Sequence, residues 1–270
     1  MANKTCDKSF PRTPRSWVPR SARVISALMI REMSTSYGRS YFGYLWTLLE
    51  PLGGIAILSI AFSMILVSPS VGDNFALFYA TGFLPFTMFH KVQLNVSKAI
   101  EQNRQLLFYP EVGYTDAIFG RLILTATTEL VGSIVILSGI ILLFGIRLYI
   151  ELPGVALSLA AAMILGLGVG TVNSVLQYIL PSWANLWSIA TRPLFIISGI
   201  FYTFDTLPLW ARESLWYNPL IHIIGQMRKG VYNIYHGDYV TILYPILLGG
   251  GLFLLGLILL RNFAKGMIND

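Results

Sequence analysis

The chain has 270 residues, 55% of them hydrophobic and only 12% charged, with a formal net charge of +6. A soluble globular chain carries about a quarter of its residues charged, so this balance, with several apolar runs of about 20 residues, excludes a water-soluble enzyme of this size. Lipid is the solvent for most of the chain, and its length suffices for about six crossings with almost no separate extramembrane domain.

The expected architecture is an all-α polytopic membrane protein forming one unit over residues 1–270. A cytoplasmic tail and surface helix occupy 1–44, a six-span region 45–261, and a short tail 262–270. The first segment is basic, broken by Pro11, Pro14 and Pro19, and lacks the apolar core that follows the charges of a cleavable signal. It is expected to stay on the protein. Within it, Arg20 to Met33 has the period of a helix lying in the membrane surface. At 100° per residue, Val24, Ile25, Leu28, Met29 and Met33 share one half of the wheel and Arg20, Arg23, Ser26, Arg31 and Ser34 the other, Glu32 and Ile30 being the exceptions. An interfacial anchor accounts for the pattern. An acid on the apolar half also points to a face that meets protein, where Glu32 finds a basic partner.

Six apolar stretches follow, at 45–67, 75–96, 117–145, 152–180, 184–204 and 240–261. They are read as helices because lipid offers the backbone no outside partner. Of the 19 Lys and Arg, Lys4, Lys8, Arg12, Arg15, Arg20, Arg23, Arg31 and Arg39 precede the first span. Lys91, Lys98, Arg104, Arg121, Arg192, Arg261 and Lys265 fall on the same side, and only Arg147, Arg212, Arg228 and Lys229 on the other. Both termini are therefore expected in the cytoplasm, and the positive charge is assigned to topology and lipid headgroups rather than to nucleic acid.

Ser97 to Pro110 is predicted to be a short polar helix with a serine cap and a proline stop. Its residues Ser97, Lys98, Ile100, Glu101, Gln102 and Arg104 either face solvent as a loop helix or form a rigid knob that passes a partner's movement into the bilayer. Span two carries Phe75, Phe78, Tyr79, Phe83, Phe86 and Phe89 within an arc of about 140°, with Pro85 expected to kink it. Packing or lipid contact explains such a stripe. The alternative is one wall of a glycan conduit, since pyranose rings stack their C–H faces on aromatic rings. Glu129, near the middle of span three, must be protonated, paired or turned to water, as a structural pair or on a transport path. Residues 205–239, with Trp210, Trp216, Tyr217, Asn218 and Pro219, are too polar to span. They are expected to form short amphipathic helices dipping into the outer leaflet, split at Pro219, or an aromatic interface belt.

Cys6 is the lone cysteine, which excludes an internal disulfide framework and a zinc site built on cysteine pairs. His90, His222 and His236 show no metal-ligand spacing, and no phosphate-binding glycine loop occurs, so any nucleotide is expected on another subunit.

The order and spacing of several stretches carry a resemblance that covers nearly the whole chain. These are Arg31-Glu32 with Tyr37-Gly38-Arg39-Ser40; Gly43-Tyr44-Leu45-Trp46 and Glu50-Pro51; Tyr109-Pro110-Glu111-Val112 with Asp116 and Arg121; Ser198-Gly199-Ile200-Phe201-Tyr202 with Leu207-Pro208; and Tyr217-Asn218-Pro219-Leu220 with His222, Arg228 and Gly230. Together they resemble the permease subunit of type 2 ABC exporters, most closely the branch exporting capsular polysaccharide in Gram-negative bacteria. The resemblance implies a homodimer in the inner membrane with two separate ATPase subunits that hold ATP and Mg. It also implies a lateral surface helix, a coupling helix between spans two and three, and re-entrant helices before span six. The cargo would be a lipid-linked polysaccharide, passed to a periplasmic adaptor and an outer-membrane channel.

Sister branches exporting O antigen or teichoic acid share this plan. From another class, a secondary transporter or channel without an ATPase stays open, although no internal repeat with paired broken helices is visible. A membrane-embedded enzyme ranks third, because Glu50 and Glu129 stand apart in sequence from any His, Ser or metal-binding cluster. No catalytic, cofactor-binding or metal-ligating residue is assigned.

Overall fold

The computed structural model describes residues 20–36, 43–109, 112–147 and 149–269. Expectations for the tail with Cys6, for residues 37–42 and for the stop at Pro110 lie outside them. Every regular element among the described residues is helical: α1 (Arg20–Ser36), α2 (Gly43–Ser63), α3 (Phe75–Ser97), α4 (Ala99–Gln102), α5 (Arg104–Leu107), α6 (Tyr114–Phe144), α7 (Leu152–Ile179), α8 (Trp183–Ile197), α9 (Leu209–Leu215), α10 (Pro219–Val231) and α11 (Leu243–Asn269), with a 3-10 turn at Phe204–Thr206.

Local chemistry sets several boundaries. Asn74 accepts the Leu77 amide at 3.0 Å and starts α3 as its N-cap. The Asp116 carboxylate accepts the Gly113 amide at 3.1 Å, an acid in the first turn of α6 where the helix dipole favours it. Gly145, at φ 60°, closes that helix in the left-handed conformation.

Among the described residues four helices are long and apolar enough to cross a membrane: α2 over Trp46–Ser63, α6, α7, and α11 over Leu243–Phe263. The other two expected spans differ from the reading. α3 has 23 residues but mixes aromatic and polar side chains, and most of it is buried among its neighbours. The stretch expected at 184–204 is a helix of only 15 residues, about 22 Å long against a hydrocarbon core of about 30 Å. A turn through Gly199, at φ 84°, follows it, a conformation cheap for glycine. The tail expected at 262–270 instead continues α11 to Asn269.

α7 is the centre of the bundle, packed on α3, α10 and α11. Its Gly166-Leu-Gly-Val-Gly170 run sets the spacing. A methyl group on Gly166 would lie 2.9 Å from the Phe89 carbonyl oxygen and one on Gly170 2.8 Å from that of Gln93, while one on Gly168 would overlap the Gly249 carbonyl oxygen. Small residues four apart let helix backbones approach where lipid supplies no hydrophobic drive. α8 is held at its start by two indoles: Trp183 Nε1 donates to Asn173 Oδ1 and Trp187 Nε1 to Gln93 Oε1, each at 2.9 Å.

α1 packs on α6 as the wheel predicts. Leu28 is buried, Val24, Ile25, Met29 and Glu32 are half-buried, and Arg23, Ser26 and Arg31 face outward with Ile30.

Candidate functional site

Two polar stripes, each with a four-residue period, face one another on neighbouring helices. α3 presents Thr87, Lys91 and Asn95; α6 presents Arg121, Thr125 and Glu129, and the two helices run antiparallel. Asn95 Nδ2 donates to Thr125 Oγ1 at 3.1 Å, and one turn away Lys91 Nζ lies 2.9 Å from Glu129 Oε1. A four-residue period keeps one helix face in register, so the rungs follow from the sequence spacing.

Helices α1 and α2 complete the site. Lys91 Nζ also lies 3.3 Å from Glu50 Oε2 of α2, so Glu50 and Glu129, distant in sequence, converge on a single ammonium. Glu32 Oε1 of α1 pairs with Arg121 Nη1 at 2.8 Å. These groups, together with His90 and Gln102, line a recess of about 510 Å³. Glu129 is thus paired, as the cost of a bare charge at this depth requires. Lys91 was counted only as a flanking charge; the overlooked signal was its place in the polar stripe.

The connection after α3 differs from the expected single helix. Ser97 belongs to the last turn of α3, where its hydroxyl donates to the Leu94 carbonyl at 2.8 Å, so it does not cap a following helix. Buried Asn103 Nδ2 donates to the Ala99 carbonyl at 2.9 Å, at the break between the two four-residue helices α4 and α5. Ile100 is 1% exposed and belongs to the core, whereas Lys98, Glu101 and Gln102 face outward. A cavity of about 410 Å³ brings Ser97, Glu101 and Arg104 together with Gln177 and Tyr178 of α7 and Met267 of α11.

The aromatic stripe of α3 is packed rather than open, the ordinary reading of such a stripe and not its alternative, a conduit wall. Phe78, Tyr79, Phe86 and Phe89 are buried, with Phe75 and Phe83 packed partly buried against the same core. Their rings bridge to α2 and α8: centroids lie 5.4 Å apart for Phe62 and Tyr79, 5.1 Å for Phe86 and Phe195, and 5.9 Å for Phe83 and Phe195. The two Phe195 pairs are edge-to-face, an arrangement that adds about 1 kcal/mol each beyond area burial. Replacing Tyr79, Phe83 and Phe86 by leucine is accordingly expected to lower the yield of folded protein while transport per assembled complex is preserved. Quantifying both in the same membranes checks this.

The segment before α11 folds as α9 and α10, divided at Asn218-Pro219. Asn218 Oδ1 accepts the Leu220 amide at 3.1 Å and Pro219 occupies the first turn. Trp210 and Tyr217 are exposed, while Trp216 stacks on Tyr244 at 5.9 Å. His222 is buried and doubly held, with Nε2 2.8 Å from the Trp216 carbonyl and Nδ1 3.2 Å from the Thr241 amide. An amide only donates, so Nδ1 is the unprotonated nitrogen. Burial holds the His222 pKa below its ordinary value.

The described residues thus form an all-helical bundle with a charged recess beside α1 and a short polar connection after α3. The chain belongs to the ABC-2 type transporter family, whose family model matches residues 23–232. Among curated relatives it is 28% identical to the polysialic acid transport protein KpsM of Escherichia coli over 249 residues, covering 91% of this chain and 95% of that one. It is 26% identical to the capsule polysaccharide export inner-membrane protein CtrC of Neisseria meningitidis, covering 91% and 92%. Against the O-antigen export system permease protein RfbA of Klebsiella pneumoniae it is 22% identical, covering 79% of this chain and 82% of that one.

Proposed function

We propose that this chain is the membrane subunit of an ATP-driven exporter that moves lipid-linked capsular polysaccharide across the bacterial inner membrane. The observation that carries this reading is the nearly end-to-end match to capsule-export proteins, fuller and higher in identity than the match to the O-antigen permease. The exporter is a homodimer, with two ATPase subunits that bind ATP and Mg outside this chain. A periplasmic adaptor and an outer-membrane channel receive the polymer. α3, and α8 together with the 198–204 segment that follows it, complete six crossings with α2, α6, α7 and α11, and α9 and α10 lie re-entrant in the outer leaflet. Both termini are cytoplasmic, in keeping with the distribution of Lys and Arg.

α2 supports the homodimer. Apart from its seam with α3 and α6 it is largely bare, Trp46, Ile57 and Ile60 being exposed together with the Glu50 carboxylate. A carboxylate at that depth avoids lipid, so Glu50 turns to the wet recess it lines, while the bare flank of Trp46, Ile57 and Ile60 faces a second copy. Deleting the gene is expected to remove surface capsule while polymer accumulates inside the cell. Loss of a different surface glycan with capsule intact overturns the cargo assignment.

The ATPase docks on the outward face of α4 and α5, through Lys98, Glu101, Gln102 and Arg104, with Arg23, Arg31 and Glu32 of α1 beside it. Ser97 and Ile100 act from behind as its support. Arg104→Glu is expected to lower ATP-driven export about tenfold or more, as charge repulsion across an interface does, with the permease still inserted. Ile100→Pro is expected to reduce the protein itself. Measuring export and membrane-inserted protein side by side separates the two outcomes.

A further inference from the structure

We infer that Lys91 is a positioning residue that holds α2 to the rest of the bundle, and that its contact with Glu50, not its contact with Glu129, opens when α2 moves during transport. The inference rests on the transporter reading above.

Charge comes first. Two acids share one ammonium, Glu129 at 2.9 Å and Glu50 at 3.3 Å, so the trio has one more acid than base. Their surroundings differ: the Glu129 side chain is 8% exposed and that of Glu50 61%. Separating a buried pair strands a charge in a poor solvent. A carboxylate already mostly exposed is solvated again at little cost. The Glu50 contact is therefore the one that opens easily. Arg121, the other cation lining the recess, is engaged by Glu32 at 2.8 Å.

The backbone of α2 is suited to the same movement. Pro51 follows Glu50 inside the helix and has no N–H to complete the turn, the ordinary cause of a kink. Gly53 has open space around it, whereas Gly54 lies so close to α3 that a methyl there would sit 2.7 Å from Cζ of Phe83. α2 thus touches α3 closely at Gly54 and through charge at Glu50. Between α2 and the other walls lies the recess of about 510 Å³, with Thr47 and Glu50 on its α2 side. Empty space on that side lets the first half of α2 shift without breaking a close-packed core.

The recess also reaches the surfaces expected to meet the ATPase. Gln102 of α4 and Glu32 of α1 line it, and Asn103 shares a small cleft with Glu32 and Arg121. A displacement of α4 therefore arrives at the helices that carry Lys91 and Glu129, and Lys91 passes it to α2.

The test uses the full exporter in vesicles, comparing Glu50→Gln, Glu129→Gln, Lys91→Met and the double variant Lys91→Met with Glu129→Gln. Glu50→Gln is expected to accumulate like the parent and to hydrolyse up to about fivefold more ATP per polymer exported, the scale of an exposed ion pair. Lys91→Met leaves two acids without a cation and is expected to lose protein. Glu129→Gln keeps Lys91 on Glu50 and is expected to retain the parental ratio of ATP to polymer. The double variant regains protein yet leaves Glu50 alone, so its ratio is expected to match that of Glu50→Gln. Parental ratios in both Glu50→Gln and the double variant overturn the inference.

A second measurement does not depend on transport. In the full chain with Cys6→Ser, spin labels at Trp46→Cys in the first half of α2 and Ile134→Cys on α6, both exposed, diluted with unlabelled chain, report the position of that half. Glu50→Gln is expected to add a second distance, and superimposable distributions overturn the inference. If the parent hydrolyses ATP and exports no polymer, the transporter reading fails while the label distances still decide the role of Lys91.

Discussion

Gly168→Ala is expected to prevent the chain from accumulating as a folded membrane protein, whereas Gly251→Ala is expected to behave as the parent. The added methyl at position 168 would overlap the carbonyl oxygen of Gly249 on α11. That obstacle is backbone, so no rotamer change relieves it, and α7 and α11 must separate. α7 has no room to retreat, because Gly166 and Gly170 hold its other side against the α3 carbonyls of Phe89 and Gln93. Overpacking of this kind costs about 3 kcal/mol or more, a large share of the roughly 5–15 kcal/mol that holds a folded chain together. At Gly251 nothing lies within 4 Å of the added carbon. Fluorescence-detected size exclusion and thermal unfolding in detergent measure both variants. Gly249→Ala, whose methyl would sit 2.7 Å from Cα of Leu165, should reproduce the defect and add less than its full cost in the double variant, because both force apart the same α7–α11 crossing.

The glycine steps were invisible to sequence reading for a physical reason. In water an apolar stripe marks the buried face of a helix, but in lipid the protein-facing and lipid-facing sides are both apolar, so periodicity loses its meaning. Span four was bounded at 152–180 and α7 runs Leu152–Ile179, yet nothing in hydropathy says that Gly166 and Gly170 face α3 while Gly168 faces α11. The surface helix was legible because one of its sides is wet. Its polar half, with Arg23 and Arg31, faces outward as the wheel requires, and the misplaced Glu32 meets Arg121.

Charges misled where they carried two meanings. Basic residues near span ends report topology, and Lys91 enters that count although it lies six residues before the end of α3 and bridges three helices. The aromatic arc of α3 raises the opposite problem: a stripe of rings reads as a sugar wall or a packing seam, and the rings that pack on it, Phe62, Phe195 and Phe201, arrive from other parts of the chain. Span five is read to 204 because Ser198 is the lone polar residue from Leu194 to Phe201, while Gly199 turns the chain there.

Arg228 was another cation counted for topology, and its replacement is expected to be the most damaging outside α7. The side chain is 1% exposed, yet its guanidinium is met by carbonyls and a ring rather than by an acid. Nη1 donates to the Tyr202 carbonyl at 2.7 Å, Nη2 to the Ile200 carbonyl at 3.1 Å, and the cation sits 4.3 Å from the centre of the Phe78 ring. One fork thus pins the Gly199 turn, where α8 has ended, onto α10 and α3. Arg228→Met removes two charge-assisted bonds worth roughly 1.5–3 kcal/mol each and strands two carbonyls out of reach of water. Arg228→Lys is expected to rescue little, since a compact ammonium lacks the planar fork that spans both acceptors. Phe78→Leu, which keeps the bonds and loses only the ring, should cost about 1–2 kcal/mol. Limited proteolysis and thermal unfolding rank the three. The expected order of damage is Met, then Lys, then Leu, with new cleavage in the 198–203 turn for the first two. A lysine variant as stable and as protected as the parent would show that charge alone, without the fork, holds the turn in place.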